Sequence, residues 1–229
     1  MRGFRRLLFS ALLLYPGIVF AQDLDAIGGL PATWPAIQNH ADVVALLVKY
    51  HDYGQYDYEI KQVATAAMDY LQKRVHDAKQ GEKMAAVFDI DETTLSNWTQ
   101  MNTCGFCDYR TQAQYYPSVN DPAIVPVLEL FRLAEKLGVK TFFITGRSEQ
   151  QRAATVANLT GAGYAKWEQL IMRPNGNADP ARVFKPAQRQ TIVDSGYTIV
   201  LNIGDQASDL AGCCAERSFK LPNPFYLVP

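Results

Sequence analysis

Residues 84–94, MAAVFDIDETT, decide the fold of this chain. Met84 to Ile90 is a short apolar run of the kind that forms a strand buried on both faces. It ends in two carboxylates, Asp89 and Asp91, spaced two apart, so on an extended chain both side chains point the same way. Carboxylates that close repel each other and bind protons more readily unless a cation lies between them. Magnesium suits such a pair, because it takes oxygen ligands from one or two carboxylates plus a phosphate. The plainer alternative is that the acidic residues only cap a helix N-terminus.

Reading outward from this stretch, strands and helices alternate. Asp121 reads as an N-cap and Pro122 as the first turn of a helix over 122–137, which Gly138 ends. Val139–Ile144 is a second strand. Ser148 opens a helix, with Gln151 completing a capping box. Gln169–Met172 is a weaker strand, Lys185–Asp194 a helix ending at Gly196, and Tyr197–Ile203 the last clear strand. Upstream lie two helices, over 41–51 and 56–78; the second carries Ile60, Val63, Ala67, Leu71 and Val75 at helical spacing. The alternation predicts an α/β, Rossmann-like parallel sheet covered by helices on both faces, preceded by a helical segment over 35–80.

Three strands end in polar, charged or Gly-containing turns, and ligands of open α/β sheets bind beyond the carboxyl ends of the strands. The first turn holds Asp89, Asp91 and Thr93. The second, Thr145-Gly146-Arg147, offers a hydroxyl and a backbone N–H to phosphate oxygens. The third holds Asp205 and Asp209, and Lys185 precedes it as a compact positive charge for a phosphoryl group. Alone, Lys185 would read as a solvated helix start.

VFDIDETTLSN, ITGR, Lys185 and GDQASDL, in that order and at those strand ends, resemble the four motifs of the haloacid dehalogenase (HAD) superfamily of phosphatases. The first and last are most similar to its class B acid phosphatase branch (subclass IIIB-like), which includes bacterial secreted acid phosphatases and plant vegetative storage proteins. The Tyr-rich segments upstream, with Tyr70-Leu71, extend the resemblance over most of residues 35–228.

The resemblance implies a magnesium-dependent phosphate monoester hydrolase. Asp89 would be the nucleophile, and Asp91 the general acid and then the base. Thr145, Gly146 and Lys185 would bind the phosphoryl group, and Arg147 would reach substrate or cap local structure. The Asp89 carboxylate, the Asp91 backbone carbonyl and the Asp205 carboxylate would hold Mg2+. Thr93 would support Asp91, and Asp209 would bind the metal through water or orient Lys185. Some storage relatives in the branch lack the nucleophile. This chain keeps it, which argues against a purely storage or binding role. The insert over 95–121 is too short for a large cap, so the site should be open to varied esters.

Four cysteines, Cys104, Cys107, Cys213 and Cys214, allow three pairings. A bond between the neighbours Cys213 and Cys214 is disfavoured by their Cα separation. Bridges between the two pairs, or a local Cys104–Cys107 bond, are expected instead. Cys104 and Arg110 also have the spacing of cysteine-dependent phosphatases, and Cys104 and Cys107 that of a CxxC oxidoreductase. Both chemistries need a strand before the cysteine, and NWTQMNT is not one. His40, His51 and His76 all lie in the helical upstream region with no Arg-His-Gly, which excludes a histidine acid phosphatase.

At the N-terminus, Arg2, Arg5 and Arg6 precede an apolar run from Leu7 to Phe20 and a Val19-Phe20-Ala21 cleavage pattern. This predicts a signal peptide over 1–21, export to the periplasm or medium, one domain over 22–229, and no stable membrane anchor after cleavage. The 229 residues carry a formal net charge of -1, so nothing in the composition calls for a nucleic acid partner or a membrane surface.

Overall fold

The computed structural model of the chain describes residues 38–108, 111 and 120–228; the expected signal peptide and much of the insert lie outside the described residues. Among the described residues, no helix is long and apolar enough to cross a membrane.

Two helices come first, α1 (His40–Asp52) and α2 (Gln55–His76). The Asn39 side chain accepts from the Ala41 N–H at 2.9 Å and starts α1. Gly54, at φ 80°, turns the chain between the two helices. Tyr56, Ile60, Ala64, Ala67 and Leu71 give α2 one buried stripe.

The strands are β1 (Met84–Phe88), β2 (Lys140–Ser148), β3 (Gln169–Arg173), β4 (Thr198–Gly204) and β5 (Ser218–Lys220). Between them come α3 (Trp98–Thr103), α4 (Val125–Lys136), α5 (Arg152–Gly161), α6 (Ala181–Asp194) and a short α7 (Ala207–Leu210). The sheet order is β3-β2-β1-β4-β5, and every pairing is parallel. The strand order therefore reverses between β1 and β4, and a crevice opens at their carboxyl ends.

Each strand feeds two cores, because alternate residues face opposite sides. Ala86, Phe88 and Phe143 pack with α2, α4 and α5 on one side. Ala85, Val87, Phe142 and Ile144 pack on the other with Phe184 and Ile192 of α6. The base of the insert is pinned shut, since Ser96 donates to the Pro122 carbonyl at 2.9 Å and Ile124 to the Thr94 carbonyl at 3.0 Å.

Three expectations from sequence are corrected. Asp121 does not cap α4: the cap is Ile124, and Asp121 is buried. Lys185 is not at a helix start, because α6 begins at Ala181 and Pro186 stands inside it. The local Cys104–Cys107 bond, one of the expected pairings, is present with Cα atoms 5.5 Å apart, but the disfavoured bond between the neighbours Cys213 and Cys214 also forms, with Cα atoms 3.7 Å apart. No bridge joins the pairs because they belong to opposite sides of the sheet. Phe106, between Cys104 and Cys107, packs against the α2 side. On the α6 side, the Cys213 carbonyl accepts from Arg189 at 3.1 Å.

Candidate active site

The carboxyl ends of β1 and β4 bring four charged side chains together. Asp89 follows β1, Asp205 follows β4, Asp209 lies in α7, and Lys185 reaches in from the second turn of α6. All four are at least nine-tenths buried. Lys185 Nζ donates to Asp209 Oδ1 at 2.6 Å and also forms an ion pair with Asp89 Oδ1. Carboxylate oxygens of Asp89, Asp205 and Asp209 lie within 4.8 Å of one another.

Gly204 makes this approach possible. A Cβ there would stand 2.5 Å from the Asp209 Cβ and 2.6 Å from its Oδ2. The space a methyl would fill is taken by the turn that aims Asp209 at Lys185. Asp209 Oδ2 accepts from the Gln206 N–H at 2.8 Å, which fixes its rotamer. Arg189 supports the same turn from below, donating to the Asp209 carbonyl at 2.6 Å and to the Ala211 carbonyl.

Three carboxylates against one ammonium leave an excess of two negative charges in the cluster. Burial disfavours charge on Asp89, Asp205 and Lys185. Burial and then the Asp209 charge push the Asp89 carboxyl up, against the pull of Lys185. The same two causes push Asp205 up to about 7, although Asn223 and Gln206 donate to it. Burial favours the neutral amine at Lys185, but the Asp209 and Asp89 carboxylates outweigh it and hold the ammonium. A close set of buried oxygen donors with unbalanced negative charge fits a hard divalent cation.

Asp91 stands apart from that cluster. Its carboxylate accepts from Arg147, with Nη2 to Oδ1 at 2.6 Å and Nε to Oδ1 at 3.0 Å. Arg147 is itself buried and anchored by Asp121 at 3.5 Å and by the Thr155 hydroxyl at 3.4 Å. Asp121 gathers Gln100 and Asn97 of the insert and Asn158 of α5 around the same carboxylate. Arg147 thus clamps Asp91 in place while also lining the cleft.

The remaining predicted residues divide. Gly146 lines the cleft, and Thr145 is buried behind it, its hydroxyl accepting from the Arg147 N–H at 3.1 Å. Thr93 does not support Asp91: its hydroxyl donates to Asp205 Oδ1 at 3.1 Å. Thr94 instead braces the loop, donating to the Asp89 carbonyl. None of the cysteines lines the cleft.

Several residues of the site were not singled out from sequence. Glu92, in the left-handed region at φ 51°, is buried beneath the loop and accepts from Tyr56 of α2 and from the Asn97 N–H. Burial pushes its carboxyl up to about 7, against those hydrogen bonds. The C-terminal segment closes one wall: Asn223 donates to Asp205 Oδ2 at 2.6 Å, and the Val228 N–H donates to Gln206 at 3.0 Å. Arg173 ends β3 at the mouth of the cleft, a strand end that could have flagged it. The whole cleft measures about 710 Å³, room for a phosphoryl group and a sizeable alcohol.

This arrangement can hold a phosphoryl group against Asp89, with Lys185 and the backbone of the second turn to balance its charge. The chain is similar to known proteins throughout this region. The family model of HAD superfamily subfamily IIIB (acid phosphatase) matches residues 32–229. Acid phosphatase 1 of Solanum lycopersicum is 38% identical over 184 residues, 76% of this chain and 69% of the tomato protein. Vegetative storage protein 1 of Arabidopsis thaliana is 34% identical over 180 residues, 76% of this chain and 66% of its own. In three dimensions, the class C acid phosphatase from Bacillus anthracis with tungstate bound superposes with a TM-score of 0.68 at 20% identity, over 83% of this chain and 87% of that one. The last comparison carries the fold.

Proposed function

Because the chain belongs to the HAD superfamily, subfamily IIIB acid phosphatases, we propose that it hydrolyses small-molecule phosphate monoesters through an aspartyl-phosphate on Asp89. The observation that carries this reading is the Asp89 carboxylate, buried against Lys185 at the floor of an open cleft, with Asp91 clamped beside it.

In the first step Asp89 attacks phosphorus, the bond to the leaving oxygen breaks, and Asp91 gives that oxygen a proton. In the second step Asp91 takes a proton from water, the water oxygen attacks phosphorus, and the Asp89–phosphate bond breaks to release phosphate. Lys185, Thr145 and the Gly146 N–H balance the charge on the phosphoryl oxygens. Arg147 holds Asp91 in one orientation through both steps, and Asp209 holds Lys185.

Asp89, Asp205 and the Asp91 backbone carbonyl would bind Mg2+, which supplies charge neutralisation at the phosphoryl oxygens. Thr93, Gln206 and Asn223 keep Asp205 aimed for that role.

The signal-peptide pattern over residues 1–21 supports export, with one domain over 22–229; sequencing the mature protein should give Gln22 first. The main test is phosphate release from 4-nitrophenyl phosphate, with chelator and with restored magnesium. Asp89→Asn keeps the shape and should abolish turnover without unfolding the chain. Near wild-type turnover in that variant, or turnover that survives chelation and stops on thiol alkylation, would refute the mechanism.

A further inference from the structure

The cleft contains four cationic side chains, and they are not equivalent. Lys185 is paired with Asp89 and Asp209, and Arg147 with Asp91 and Asp121. Arg173 and Arg182 also line the cleft, yet among the described residues neither forms an ion pair with a carboxylate. Two arginines lining the cleft without an ion-pair partner make a local positive field that an anionic ligand group would satisfy.

Arg173 is held ready. Its guanidinium lies 5.0 Å over the Phe184 ring, and Nη1 donates to the Asp179 carbonyl and to Asn177 Oδ1, the latter at 3.4 Å. Those contacts use one end of the fork. The other end, Nη2, sits 3.9 Å from where a Cβ on Gly146 would stand, so it faces the phosphate-binding turn. Arg182 is exposed, three residues before Lys185 on α6, so it stands on the same helix face one turn further out. The one carboxylate on this wall, Asp179, is engaged by Asn177 Nδ2 at 2.9 Å. Two cations against one anion leave the wall positive.

We propose that Arg173 and Arg182 form a second anion subsite, which selects phosphate monoesters whose alcohol portion carries a further anionic group, a carboxylate or a second phosphate. The subsite rests on the phosphatase reading and deepens it. A guanidinium fork matches either oxyanion in two-point contact, which a lysine would not. The chemistry at Asp89 is unchanged; the arginines act on the leaving group's far end and so on kcat/KM.

The test compares substrates that share a scissile phosphate and differ at that end. 3-Phosphoglycerate and glycerol 3-phosphate differ by a carboxylate in place of a hydroxymethyl group. Fructose 1,6-bisphosphate and fructose 6-phosphate differ by a second phosphate. The wild type should favour the anionic member of at least one pair by about fivefold in kcat/KM, and which pair identifies the anion. Raising ionic strength should shrink that preference. Arg173→Gln and Arg182→Gln should each lower it at least about threefold, and Arg182→Gln should leave glycerol 3-phosphate turnover within about twofold. Arg173→Lys keeps the charge and should retain part of the preference. Arg182 is exposed, so its variant folds even if Arg173→Gln does not.

A preference near one for both pairs, or a preference that both glutamine variants leave intact, overturns the subsite and leaves the phosphatase reading standing. No hydrolysis of the four substrates by protein that does hydrolyse 4-nitrophenyl phosphate overturns the subsite alone, and no hydrolysis of any of the five overturns both.

Discussion

Tyr56→Phe isolates one hydrogen bond between the upstream helices and the loop that follows β1. The Tyr56 ring is buried against Phe225, with centroids 5.0 Å apart, and phenylalanine keeps that contact. Only the hydroxyl is lost. It donates to Glu92, whose other partners are the Asn97 N–H and the Ser96 hydroxyl, the latter at 3.3 Å. Burial and then the Glu92 charge push the Tyr56 phenol well up, so it stays a donor at any working pH. At pH 8, above the value of about 7 to which Glu92 is raised, the lost bond is one to a charged, buried acceptor. Such bonds contribute about 1.5–3 kcal/mol, and leaving the acceptor short of a donor puts the cost in the same range. For a domain of this size each kcal/mol moves Tm by about 2–4 °C, so a fall of about 3–12 °C is expected. Thermal unfolding of the metal-loaded protein at pH 8 measures it. A Tm within about 1 °C of wild type would refute the reasoning. So would strict additivity of Tyr56→Phe and Glu92→Gln in a double-mutant cycle, because bonded partners should couple by at least about 0.5 kcal/mol.

Gly204→Ala should displace Asp209 from Lys185, costing about 1–3 kcal/mol of stability and at least about tenfold in turnover; a fully active variant would mean the 2.5 Å approach to Asp209 is not needed. Both disulfides close very short loops, so in the chain-entropy model reduction should cost at most about 2 kcal/mol for each, and peptide mapping should find both pairs local. Arg74, with help from the Lys79 N–H, holds the Glu82 carboxyl down from 4.5 to about 2. A depressed carboxylate stabilises the fold above pH 4.5, and that contribution is lost as pH falls through about 2. Acid unfolding of Arg74→Ala should therefore begin at higher pH than in the wild type, and unchanged curves would remove Arg74 as the cause.

The strand ends were legible because hydrophobic runs and polar turns announce themselves locally. MAAVFDI carries Asp89 at its end, VKTFFI and YTIVLNI lead into the Thr145 turn and Asp205, and the fold brings those ends to one crevice. What sequence could not supply was the partner of each polar group. Asp121-Pro122 has the local pattern of a helix start, yet the Asp121 carboxylate is taken up by Asn97, Gln100, Asn158 and Arg147 from three distant segments. Thr93 was assigned to the nearer aspartate and bonds the one 112 residues away. β5 is three residues long, exposed-buried-exposed, too short for a periodic signal. The cysteine pairing depended on which side of the sheet each pair faces, a property that spacing does not encode.

Residues 223–228 form part of the wall and are not an appendage. Asn223 holds Asp205, and Phe225 fills an aromatic cluster with Tyr56, Trp98 and Phe106. The Val228 carbonyl accepts from Ser208 at 3.0 Å. The segment has no sheet pairing of its own, so its removal leaves the five strands whole. Deleting residues 223–228 should therefore silence the enzyme while circular dichroism still reports a folded protein. A bulky group joined directly to Val228 would press on the wall of the cleft.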